Sequence, residues 1–114
     1  MEIEIVDKPI NNKYLTEMAE KRFGDLVKAV IDIEKDIMAI GGELHADEEQ
    51  ILLEQDSKQE NLWGINLYPS KTGEDFIEFD SMINIRPRQN NRSRGVEDKD
   101  IQKKIAEIVK KLIK

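Results

Sequence analysis

Four arginines, Arg86, Arg88, Arg92 and Arg94, fall within ten residues of the stretch INIRPRQNNRSRGVED (83–98), interleaved with Gln89, Asn90, Asn91 and Ser93. A guanidinium presents its N–H donors in a planar fork that matches the two oxygens of a carboxylate or a phosphate. Asparagine amides beside it add neutral donors. The stretch therefore has the composition of an anion-recognising loop (86–95), with Arg86, Arg88, Arg92, Arg94 and Asn91 as binding residues. Its +4 stands in a chain of formal net charge −6, so the remainder carries −10. The same abundance of acids, 24 Asp and Glu in all, offers the arginines partners within the molecule, and self-pairing is the competing reading.

A second candidate is GGELHAD (41–47). His45 is the only histidine, and strand alternation would set Glu43, His45 and Asp47 on one face. A carboxylate–imidazole–carboxylate row can move protons or contribute to a metal site. A single histidine is poor stock for a metal, however, and no metal or other cofactor is expected. Asp47 has a sufficient role of its own as the N-cap of a helix running through ADEEQILLEQ, with Gln50 three residues on. The third candidate is NLWGINLYP (61–69). Trp63 alternates in phase with Ile65 and Leu67, which is core behaviour, whereas Tyr68 and Asn66 fall on the opposite face. Tyr68 thus joins the binding set as an aromatic surface for a base or sugar. The chain lacks a phosphate-binding glycine loop, a dinucleotide fingerprint, a His–Glu zinc motif and a nucleophile elbow.

The elements that must position these residues follow from patterning. MEIEIV alternates Ile with Glu as a half-buried strand does. Leu15, Met18, Ala19 and Phe23 recur at helical spacing, with Asn11 or Asn12 before them and Gly24 behind. Val27 to Leu44 reads as a hairpin turning at EKD, with Gly41-Gly42 as a bulge or close backbone approach in its second strand. LWGINLYP is a strand, and FIEFDSMINIRP is a strand pair or one bent strand. Ile101, Ile105, Ile108, Val109, Leu112 and Ile113 form one apolar stripe behind Glu97 or Asp98, the clearest helix of the chain. The order β-α-β-β-α-β-β-α implies an α+β fold: a mainly antiparallel sheet of about five strands, with two to three helices packed on one face.

At 114 residues the chain is expected to form a single α+β domain, 1–114. Its acidic balance argues against bulk nucleic-acid binding. The absence of cysteine fits a reducing compartment, so a cytoplasmic protein is expected. No apolar run approaches the roughly 20 residues that span a bilayer. The lysines near the end (Lys103, Lys104, Lys110, Lys111, Lys114) read as the solvated face of the last helix and not as a membrane-binding surface.

GGELHADEEQILLEQDSKQENLWGINLYP and IEFDSMINIRPRQNNRSRGVED, with the closing helix, resemble a family of small prokaryotic proteins of unknown function. In that family the loop more often runs Arg-Pro-Ser-Gln-Gly-Asn-Arg-Ser; here Arg88 stands for the serine and Asn90 for the glycine. The resemblance implies no activity and no catalytic residue. Two functional readings, from different classes, therefore stand beside it. The first is a non-enzymatic binding or interaction module, with the arginine loop taking an anionic ligand or an acidic protein partner, a sister subunit of a homo-oligomer included. The second is a small phosphoester hydrolase or nuclease-like enzyme. In it His45 acts as acid–base group, Glu43 or Asp47 orients it, and the arginines hold developing charge. That reading requires His45 and the loop to converge.

Overall fold

The structure, a computed structural model, describes residues 3–114. The Glu2 end of the expected first strand lies outside these residues. Five strands, β1 (Glu4–Val6), β2 (Val27–Asp32), β3 (Ile37–Ile40), β4 (Leu62–Leu67) and β5 (Ile77–Glu78), form one sheet in the order β1-β3-β2-β4-β5. Every pairing is antiparallel. Three helices, α1 (Asn12–Arg22), α2 (His45–Glu54) and α3 (Lys99–Leu112), complete the α+β architecture.

Local chemistry sets the boundaries. The Asn11 side chain accepts the Tyr14 N–H to start α1, and Gly24, at φ +94°, closes it by donating to Ala19. Asp98 accepts from the N–H groups of Asp100 and Ile101 to start α3. In the β2–β3 turn the buried Asp32 carboxylate accepts the N–H groups of Glu34 and Lys35 and the Ser57 hydroxyl. An acid without those donors would be costly to bury. β3 ends at Ile40, so Gly41 (φ +96°) and Gly42 form the crossing into α2 and not a bulge within the strand.

Strand alternation divides the core. Val27, Ala29, Ile31, Met38, Ile40, Trp63, Ile65 and Leu67 pack under α1 and α3 with Leu15, Ala19, Ile105, Ile108, Val109 and Leu112. Val30, Ala39 and Leu62 point the other way and pack with Leu52 of α2. The expectation that all helices share one face is therefore corrected. β2 and β4 carry apolar residues on both faces, so an exposed second face would leave Val30, Ala39 and Leu62 in water, and α2 covers them.

β5 is shorter than FIEFDSMINIRP suggested. Two residues pair with β4, and the chain then leaves the sheet through a 3-10 turn at Met82–Asn84. The vacated edge of β4 is filled by side chains. The Asn84 amide takes the Gly64 N–H (2.8 Å) and donates to the Gly64 carbonyl (3.0 Å), doing for one residue what a neighbouring strand does along its length. Arg86 then donates to the Leu62 carbonyl at 2.7 Å and stacks over the Trp63 ring at 4.3 Å.

Candidate functional site

The arginine loop is an ordered structure built on buried amides. Asn91, almost fully buried, donates to the carbonyls of Asn84, Ser93 and Gly95 and accepts the Glu97 N–H. The Glu97 carboxylate in turn accepts the N–H groups of Arg92 and Ser93, and those bonds hold its pKa below the usual carboxylate range. At the tip Asn90 adopts the left-handed conformation, φ +60°, which asparagine tolerates better than most residues.

This construction separates the four arginines. Arg86 is half-buried along the edge of β4, donating to Leu62 and Gln59 carbonyls, so it is not free for a ligand. Arg94 pairs with Asp80 at 2.6 Å. Arg88 and Arg92 are exposed and their guanidinium groups carry no ion pair among the described residues. The Asn91 amide is engaged inside the loop, on the carbonyls of Asn84, Ser93 and Gly95. Tyr68 donates to Glu78 at 2.9 Å and lies under Lys71 at 4.5 Å.

The proposed row of Glu43, His45 and Asp47 does not form, because this segment is a helix start and not a strand. Leu44, without a capping side chain, is the N-cap, and Asp47 sits exposed in the first turn, where its charge favours the helix dipole. Glu43 turns outward to Arg22 at 3.1 Å. His45 turns inward, its Nε2 within 2.8 Å of the Ile65 carbonyl. Burial, foremost, lowers the His45 pKa below its usual value, with Lys28 and Arg94 adding to the effect and the Ile65 carbonyl and Asp80 opposing it. The neutral ring therefore donates Nε2–H to Ile65, and that nitrogen is not available as a base.

His45 does meet one loop arginine. A cleft of about 200 Å³ opens at the start of α2 and is walled by Lys28, His45, Asn66, Asp80, Ser81 and Arg94. Leu44 and Met82, 55% and 66% exposed, form its lips. Gly64 makes the room: a Cβ there would lie 2.5 Å from Ser81 Cβ and 3.2 Å from His45 Cδ2. Ser81 and His45 pack on the same glycine with no hydrogen bond between them, and nothing in the cleft favours hydrolase chemistry. Asn66, only 8% exposed, gives its Nδ2 to Glu78 at 2.9 Å, and its Oδ1 is buried without a partner. Lys28, opposite Asn66 in the β2–β4 register, lies over the Phe23 ring at 5.1 Å and has no carboxylate partner. Lys28, Ser81 and Gly64 escaped the motif reading; a glycine in mid-strand, in LWGINL, is the signal that marks the close approach.

Glu48 belongs to the same helix. It is fully buried, and burial raises its pKa to about 9, against the opposing pull of the Gly42 N–H and Lys28. Oε2 accepts that N–H at 2.9 Å, and a Cβ on Gly42 would press on Glu48 Cγ at 2.9 Å. A protonated carboxyl is thus held in the α2 layer at neutral pH. No group of His, Cys, Asp and Glu that could hold a metal ion occurs among the described residues.

An antiparallel α+β sheet with helices on both faces and a small polar cleft at a helix start defines the class. Domain family DUF5674, described as a protein of unknown function, matches residues 4–112, and the chain belongs to it. No curated protein and no solved structure matches the chain. No helix among the described residues is long and apolar enough to cross a membrane.

Proposed function

We propose that this protein is a non-enzymatic binding module whose α2 cleft takes a small acid carrying an N–H or O–H donor beside its anionic group. The observation that carries this reading is Asn66: more than nine-tenths buried, it keeps Oδ1 without a partner in the cleft wall. A buried acceptor left unsatisfied costs on the order of 1–3 kcal/mol, a cost that a ligand donor removes. The anionic end then faces Lys28 and the uncapped first turn of α2. Leu44 and Met82 would close over its apolar part. Arg88 and Arg92, exposed on the outer loop and without an ion pair among the described residues, would draw acidic partners towards the site by long-range attraction. The working compartment in this reading is the cytoplasm, in keeping with a chain that contains no cysteine.

A set of small α-amino and α-hydroxy acids, titrated into 15N-labelled protein, tests the reading. The expected result is saturable shifts at Lys28, His45 and Asn66, abolished by Lys28→Ala and by Asn66→Ala. No shifts at millimolar ligand, or equal shifts in Asn66→Ala, would exclude the cleft as the binding site.

A further inference from the structure

Across the sheet from the cleft, α3 and the segment from Pro69 to Phe79 leave a second concavity, independent of the first. Phe76, Ile77 and Phe79 on one side and Ala106, Val109 and Ile113 on the other make an apolar floor. Two contiguous hollows of about 560 and 680 Å³ share Gly73, Ile77 and Ala106. Lys71 stands on one bank, and Lys99, Lys103, Lys110 and Lys114 stand along the other. Within α3, residues four and seven apart fall on one face, so Lys99, Lys103 and Lys110 form a row, and Lys114 follows beyond the helix end. All five are exposed, and none is ion-paired among the described residues. Glu74 is the one acid in the walls. In a chain of net charge −6, this is a concentrated positive field over an apolar surface.

We propose that this groove docks an acidic, amphipathic segment of a partner protein, its carboxylates against the lysines and its apolar side chains on the floor. Two observations choose this occupant. The charge is complementary, and it is distributed: α3 runs for 14 residues, about 20 Å at 1.5 Å per residue. One anionic headgroup reaches one or two of those lysines, whereas a chain of acids reaches all. Asn12 closes the wall at one end, its Nδ2 donating to the Pro69 carbonyl at 2.9 Å. The groove is also pre-formed at that end, where Ile10 donates to Leu112 and Lys114 donates to Ile10, both at 2.8 Å. A rigid receptor loses less entropy on binding. A second copy of this chain would meet the charge requirement too. However, a basic groove on an acidic face is a heterologous contact, which extends into open chains unless the rotation closes.

Random peptides of about 12 residues, long enough to cover the groove when extended, displayed on phage and selected on the full-length protein, provide the probe. Lys103→Glu/Lys110→Glu serves for counter-selection. Circular dichroism checks its fold, and Lys103→Gln/Lys110→Gln is a second variant with no new charge. Selected peptides are expected to interleave Asp or Glu with Leu, Ile or Phe. A fluorescein-labelled representative should lose roughly tenfold in affinity, about 1.4 kcal/mol, against either variant. It should weaken as salt rises from about 50 to about 500 mM. No enrichment, a basic or uncharged consensus, or equal affinity for the variants would overturn the proposal. Lysine-dependent binding of phosphatidylserine vesicles without peptide binding would assign the groove to lipid instead. Self-association lost in both variants would assign it to a second copy.

Discussion

The chain carries two basic regions of similar charge, and they are built in opposite ways. The arginines of the 86–95 loop are neighbours in sequence but serve separate ends: Arg86 lies along β4, Arg94 pairs with Asp80, and Arg88 and Arg92 face outward. The lysines of the α3 groove come from residues 71 to 114 and are gathered by the fold onto one apolar surface, none ion-paired among the described residues. A planar guanidinium can serve backbone carbonyls and stack on an indole, so arginine is readily absorbed into structure; a lysine ammonium keeps its hydration and stays at the surface. Local charge density in a sequence is therefore a poor guide to charge available for recognition. What counts is how many of the charges the protein has already committed.

The comparison is sharpest where the effects are largest. Asn84→Ala strands both polar groups of Gly64 and the Arg94 carbonyl together, and should lower unfolding stability in urea by about 3 kcal/mol. A cost below about 1 kcal/mol would mean that the loop is an appendage and not a wedge against β4. Glu48→Gln is the control outside both regions. Its folded pKa of about 9 lies above the unfolded value, so the native state binds the extra proton. Stability is then fully present below about pH 4.5 and falls as pH rises towards 9, with a slope of up to about 1.4 kcal/mol per pH unit. The glutamine variant should flatten that slope in pH-dependent denaturation; an unchanged slope would mean that Glu48 is ionised in the native state.

Smaller effects divide the arginines. Arg86→Met should cost about 1–2 kcal/mol, and Arg86→Lys should recover little of it, because an ammonium cannot serve Leu62 and Gln59 in one plane over Trp63. Asp80→Asn, breaking an exposed pair, should cost less than about 1 kcal/mol. Smallest of all, Arg88→Ala and Arg92→Ala should match Lys103→Ala and Lys110→Ala, each within about 0.5 kcal/mol of wild type in thermal melts. A large loss at Arg88 or Arg92 would erase the distinction between the outer arginines and the groove lysines.

Much of the frame was legible from local patterns. The stripe of α3, the cap at Asn11, the hairpin turning after Asp32 and the core phase of Trp63 each need only a short window of sequence. What could not be read locally depends on contacts far apart in the chain. That α2 shields the face opposite α1 follows from apolar residues on both faces of β2 and β4, a pattern visible in VKAVID and LWGINL but easily taken for alternation alone. Glu43, His45 and Asp47 were aligned by strand geometry, and a helix starting at His45 dispersed them. Asn84 and Asn91 have loop-like identities, and only burial turns them into structural plugs. Lys103, Lys110, Lys111 and Lys114 did read correctly as exposed, whereas Lys104 is half-buried beside Asp36, and the apolar hollow exists only once residues 69–79 are packed against the helix.

The Asn84–Arg86 seal has a consequence for solubility. An outer strand with free N–H and C=O groups is a template for another chain, and β4, rich in Trp, Ile and Leu, would be a hazardous one. β5 masks only two of its residues; a side-chain amide and a guanidinium mask the stretch beyond. Because side chains do this masking, no further strand can add there without displacing them. Variants that loosen the seal should therefore form intermolecular β-structure before they lose their helices.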